Sequence, residues 1–132
     1  MAKRILIADD SKIVRSLHSY ILESAGYECH AAPNGYVALE LLRPDHFDLV
    51  ITDLNMPRMD GYALIEKIRE QEEFRTLPII VISTEEEARD KQKGFEAGAN
   101  IYIVKPAKPR ELVMNVQMLL GEASQAPLRS GQ

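Results

Sequence analysis

The chain has 132 residues, 45% of them hydrophobic and 27% charged, with one cysteine and a net charge of −4 from 16 basic and 20 acidic side chains. This is ordinary composition for one globular domain that buries a core without a disulfide or structural metal. It excludes extensive disorder, a cysteine-rich zinc site and non-specific binding along a nucleic-acid backbone, so nucleic acid is not expected as a direct partner.

The first apolar run is Ile5-Leu6-Ile7-Ala8, and Asp9-Asp10 follows it. The run is too short for a signal peptide after Met1–Arg4, and no run approaches the roughly eighteen residues of a membrane span. A cytoplasmic protein without membrane contact is expected. Ile13, Leu17, Ile21 and Leu22 have helical spacing, with Gly26 as the stop. Glu28 to Ala32 is a second, weaker run that reads as nearer a sheet edge. It contains Cys29, expected to be a buried or half-buried thiol. Val37, Leu41 and Leu42 make a short second helix closed by Pro44.

Leu49-Val50-Ile51 is the third run, followed by Thr52 and Asp53. A third helix carries Ala63, Leu64, Ile65 and Ile68, then a charged turn and Pro78. Ile79-Ile80-Val81-Ile82 is the fourth run, ending in Ser83-Thr84. Glu86 to Ala97 reads as a polar fourth helix stopped by Gly98. Ile101-Tyr102-Ile103-Val104 is the fifth run, ending in Lys105-Pro106. Leu112, Val113, Val116, Leu119 and Leu120 make a fifth helix with Pro109 in its first turn. The alternating pattern marks one domain over residues 1–121, and residues 122–132 read as a flexible tail.

Four of the five runs are continuous and β-branched, as in strands covered on both faces. Strands alternating with helices predict an α/β fold: a doubly wound (βα)5 sandwich around a five-stranded parallel sheet. Such sheets bind ligands beyond the carboxyl ends of their strands. Asp9, Asp10, Asp53, Ser83 and Lys105 all fall there. Each has a plain structural reading. Asp10-Ser11 can cap the first helix, Asp53 can serve a turn, Ser83 or Thr84 can cap the fourth helix, and Lys105 can be a surface lysine. Capping, however, requires neither acids after both the first and third strands nor a lysine after the fifth.

Two unit charges about 5 Å apart repel by roughly 3 kcal/mol at an effective dielectric near 20. Three carboxylates in one pocket therefore need a cation, or one of them takes a proton. Lysine offsets one charge. Mg²⁺ offsets two more, and the oxygen-only donor set argues against zinc or copper. A carboxylate beside Mg²⁺ and lysine suits phosphoryl transfer to an aspartate.

IADD after the first strand, TDLNMPRMDG around Asp53, IVISTEE, EAGA and YIVKP together resemble the receiver domain of two-component response regulators, the CheY-like family, over about residues 4–120. The resemblance implies that Asp53 is the phosphoacceptor. It implies that Asp10 is a direct Mg²⁺ ligand, that Asp9 acts largely through water, and that Asn55 offers its backbone carbonyl to the metal. Ser83 falls at the switch hydroxyl, Lys105 at the phosphoryl-binding lysine before an expected cis Pro106, and Tyr102 at the switch aromatic. Tyr102 also reads simply as a strand tyrosine packed on the fourth or fifth helix. Asn55 and Glu85 fall at positions that tune phosphate lifetime. Ala107 stands where relatives often carry Phe. The implied partners are a histidine kinase or phosphotransfer protein and a downstream target reached through the face from the fourth helix to the fifth. A monomer is expected, with chemotaxis or motility as the favoured pathway.

A phosphorelay shuttle and a receiver fragment of a longer regulator fit the same residues. A haloacid-dehalogenase-type phosphatase fits less well, because its second Asp, two residues after the nucleophile, is here Asn55. A non-phosphorylated adaptor would need none of the acid set. A dinucleotide-binding domain lacks its glycine signature. His18, His30 and His46 read as scattered and remote from these groups. Met56 and Met59 read either as a docking rim or as loop packing.

Overall fold

The computed structural model describes residues 2–122. Five strands, β1 (Arg4–Ala8), β2 (Glu28–Ala32), β3 (Leu49–Thr52), β4 (Ile79–Ser83) and β5 (Ile101–Val104), alternate with five helices. These are α1 (Lys12–Ser24), α2 (Gly35–Leu42), α3 (Gly61–Glu70), α4 (Ala88–Ala97) and α5 (Pro109–Leu119). The charged turn after α3 is a single 3₁₀ turn over Glu72–Phe74. All strand pairs are parallel, in the order β2-β1-β3-β4-β5. The fold is the flavodoxin-like (βα)5 sandwich that the sequence predicts.

The continuous apolar runs follow from the two-sided core. Successive strand residues point to opposite faces. Ile5 and Ile7 pack with Leu22, Leu112 and Val116 on the α1/α5 side. Leu6 and Ala8 pack with Ala38, Leu42, Leu64 and Ile68 on the side of α2, α3 and α4. β2 is a sheet edge, which explains its weaker pattern. The loops are turned by side-chain caps: Ser11, Asn34 and Asp60 accept the Val14, Val37 and Ala63 N–H groups at the starts of α1, α2 and α3.

Three expectations need correction. Only part of the expected stripe on α1 is buried: Leu22 is, as expected, but Ile13 and Leu17 are 80% and 51% exposed, and His18 is buried in their place. The apolar residues of α1 lie on two neighbouring stripes, and the buried one includes a residue that hydropathy counts as polar. α4 begins at Ala88, not Glu86, and neither Ser83 nor Thr84 caps it: Glu87 holds the N-cap position without a side-chain bond. Met56 and Met59 are buried in the core on the α2/α3 side, which settles them as loop packing rather than a docking rim.

Cys29 is half-buried, and burial first, then Glu23 and Glu28, pushes its thiol up to about 12. Glu122 accepts a 2.6 Å hydrogen bond from the Tyr27 hydroxyl. The remainder of the expected tail lies outside the described residues.

Candidate functional site

The sheet register builds the site. Ala8 pairs with Thr52 across β1 and β3, so the next residues, Asp9 and Asp53, emerge side by side. Their backbones continue the ladder: the Asp53 N–H donates to the Ala8 carbonyl at 2.9 Å, and the Asp9 N–H to the Ala32 carbonyl at 3.1 Å. Strand order reverses between β1 and β3, which is where a doubly wound sheet opens a crevice. Ser83 and Val104 pair at the ends of β4 and β5, and Lys105 follows. The Lys105–Pro106 bond is cis, as expected.

Asp9, Asp10 and Asp53 each bring a carboxylate oxygen within 4.8 Å of the others. Asp9 and Asp53 are buried, while Asp10 is exposed. The Lys105 ammonium donates to Asp53 Oδ2 at 2.9 Å and to Asp9 Oδ2 at 3.0 Å. The other oxygens are also used: Asp53 Oδ1 accepts the Leu54 N–H at 2.7 Å, and Asp9 Oδ1 accepts that of Ser11 at 2.9 Å. Burial opposes the charge on Lys105, but the bonds to Asp53 and Asp9 outweigh it and hold its pKa above the ordinary lysine value.

Gly61 makes the approach of α3 possible. A Cβ there would overlap the Asp53 carbonyl oxygen and lie 2.8 Å from the Leu54 Cα. The Gly61 N–H donates to the Leu54 carbonyl at 2.8 Å.

A second set of residues meets at Glu85. Its N–H donates to the Ser83 hydroxyl at 3.1 Å, its carbonyl accepts the Tyr102 hydroxyl at 2.7 Å, and its carboxylate accepts the Asn55 amide at 3.0 Å. Ser83 is fully buried and Thr84 exposed. Tyr102 packs on α4, against Gly94 and, at 6.4 Å between ring centroids, Phe95. Burial raises its phenol to about 12, with the Ser83 hydroxyl pulling the other way.

His18 was expected to lie apart from these groups, and it does not. It is 3% exposed, and Asp9, Asp53 and Lys105 all act on its charge. Burial dominates and lowers its pKa; Lys105 adds to this, while the two carboxylates oppose it. No spacing rule singles out a histidine on the inner face of a helix beneath a site. His30 and His46 do lie apart, beside Glu28 and Asp48 near the amino ends of the strands. Ala107 is buried among the α1/α5-side core.

The donor set fits a hard divalent cation. Three carboxylates and one lysine leave two negative charges, all available donors are oxygens, and Asp10 has no hydrogen-bond partner among the described residues.

The sequence model of the response regulator receiver domain matches residues 5–117. The chain belongs to this family. This receiver domain is 40% identical over 120 residues to the transcriptional regulatory protein SrrA of Staphylococcus aureus, covering 91% of this chain and 48% of that protein. The chain thus spans about half the length of the curated relatives it matches. Its fold matches the chemotaxis protein CheY4 of Vibrio cholerae with a TM-score of 0.87 at 35% identity, over 91% of this chain and 100% of that one. It also matches the receiver domain of the sensor histidine kinase PA1611 of Pseudomonas aeruginosa, with a TM-score of 0.85 at 29% identity over 92% and 99%. That structure has a magnesium ion coordinated in its active-site cleft. Receiver domains are signalling switches of two-component systems, not classical enzymes. These relatives serve different outputs, so chemotaxis is one pathway among several.

Proposed function

We propose that this receiver domain takes a phosphoryl group onto Asp53 from the phosphohistidine of a histidine kinase or phosphotransfer protein, in the cytoplasm, and signals by changing its protein contacts. The observation that carries the reading is the Asp53 carboxylate held between the Leu54 N–H and the Lys105 ammonium beside two further acids.

A carboxylate oxygen of Asp53 attacks phosphorus. The new bond is an acyl phosphate O–P bond, the P–N bond to the donor breaks, and its electron pair leaves on the imidazole. Asp9, Asp10 and Asp53 would hold Mg²⁺, with the Asn55 carbonyl as a further ligand. The ion supplies charge neutralisation for the transferring oxygens. Lys105 exchanges its bond to Asp53 for one to a phosphoryl oxygen, so its charge stays paired throughout.

The switch step then needs about 5.5 kcal/mol to move a population from 1:99 to 99:1. Two or three charge-assisted hydrogen bonds of roughly 1.5–3 kcal/mol supply it. Ser83 and Lys105 are the side-chain donors. A Ser83 hydroxyl drawn to phosphate leaves the Glu85 N–H, and Tyr102 shares that residue. The change thereby reaches the face formed by α4, β5 and α5. Asn55 and Glu85, bonded to each other across the mouth, are placed to set phosphate lifetime.

Incubation with acetyl phosphate and Mg²⁺ should give one phosphate adduct by intact mass. An unmodified protein, or equal labelling of Asp53→Asn, contradicts the reading. Ser83→Ala should accept phosphate but lose the phosphorylation-dependent response of its target.

A further inference from the structure

We propose that Gly94 is a positioning residue for Tyr102: the missing side chain in the middle of α4 is the shelf that lets the Tyr102 ring lie inward with its hydroxyl on the Glu85 carbonyl. The proposal rests on the reading of Tyr102 as a switch aromatic, and deepens it by naming what sets its resting position.

A glycine within a helix is costly, because it loses more backbone freedom than alanine. Gly94 is buried in a ten-residue helix and has no positive φ to require it. What it does have is Tyr102. A Cβ at position 94 would stand 3.2 Å from the Tyr102 Cδ2 and 3.4 Å from its Cε2. Both distances are at or inside ordinary carbon–carbon contact. The ring would have to retreat by a few tenths of an ångström, and its hydroxyl is already committed to a 2.7 Å bond. Tyr102 also packs against the buried core on the side of α2, α3 and α4, which limits where the ring can go. Retreat therefore stretches the bond to Glu85 and favours a ring turned outward past Phe95, itself 47% exposed. Gly94 thus makes α4 and Tyr102 report on one another: a helix that shifts, or a ring that turns, changes the same contact.

The test is a cycle of Gly94→Ala in the full chain with Tyr102 present and with Tyr102→Ala. Without the ring, alanine should raise the folding constant about fivefold, the ordinary gain over glycine in a helix. With the ring present, most of that gain should disappear. A purely structural glycine gives the same gain in both backgrounds, and that result overturns the proposal. The second readout is the Tyr102 ring, followed by NMR with labelled tyrosine. In Gly94→Ala its titration should move from about 12 toward an ordinary phenol, and Gly94→Val should complete the shift. An unmoved Tyr102 titration in both variants also overturns it. Adding acetyl phosphate and Mg²⁺ to the wild type separates the underlying reading. A Tyr102 resonance that ignores phosphorylation defeats the switch role while leaving the Gly94 contact to be judged by the cycle.

Discussion

Lys105 holds Asp53. Its ammonium stands 2.9 Å from the Asp53 carboxylate and 3.0 Å from that of Asp9, although the residues are 52 and 96 positions away in the chain. The stability it contributes has a definite pH window. Its folded pKa is raised, so the contribution is complete below the unfolded value near 10.4 and is lost as pH rises through the folded value. Lys105→Met should be less stable than wild type by about 1–3 kcal/mol at pH 8. The gap should narrow above pH 10.4 when urea unfolding is repeated across the alkaline range. The tyrosines titrate in both proteins and cancel from the comparison.

Asp10 has no such partner. It adds charge to the acid pair at the site without a compensating bond among the described residues. Asp10→Asn should stabilise the metal-free protein by up to about 1 kcal/mol, since an exposed charge is well screened. The same change should abolish most of the rise in Tm that Mg²⁺ gives the wild type through binding to the folded state. Thermal unfolding with and without Mg²⁺ reads both effects.

His18 points the pH dependence the other way. Its folded pKa is lowered from 6.5, chiefly by burial. Above 6.5 both states are neutral there; below it the unfolded chain gains a proton that the folded protein resists, and stability falls. His18→Leu should flatten this loss between about pH 6.5 and 5. It should also gain about 1 kcal/mol at pH 7, because a buried polar ring with no hydrogen bond among the described residues is replaced by an apolar side chain. Urea midpoints at several pH values decide it.

The same residue shows where sequence reasoning stops. Strands were legible because a sheet covered on both faces writes itself as unbroken apolar runs. The acids and the lysine were legible because strand ends share an edge whatever the helices do. Helix rotation was not: α1 has apolar residues on two stripes, and the buried one is fixed by packing across the sheet, not by hydropathy. The hub at Glu85 was legible as separate positions but not as three bonds, because it joins two loops to the strands β4 and β5. Arg69 was missed altogether. Its guanidinium donates to the carbonyls of Gly98, Phe74 and Leu77 and to the Asn100 side chain, and such long-range bonds to backbone leave no local pattern.

Arg69→Ala should therefore cost about 2–4 kcal/mol in urea unfolding, because three part-buried carbonyls lose their donor together. Arg69→Lys should recover only part, since one ammonium cannot span the fork. Phosphate uptake at saturating acetyl phosphate should survive in the folded fraction, as Arg69 touches none of the site residues.

The most direct measurement is where the phosphoryl group goes. After acetyl phosphate and Mg²⁺, borohydride reduction converts an aspartyl phosphate to homoserine, which peptide mass mapping locates. The structure predicts homoserine at position 53 alone, and none in Asp53→Asn. Homoserine at position 9 or 10 in the wild-type protein, or a phosphate adduct that resists borohydride, would contradict the assignment of Asp53 as the acceptor.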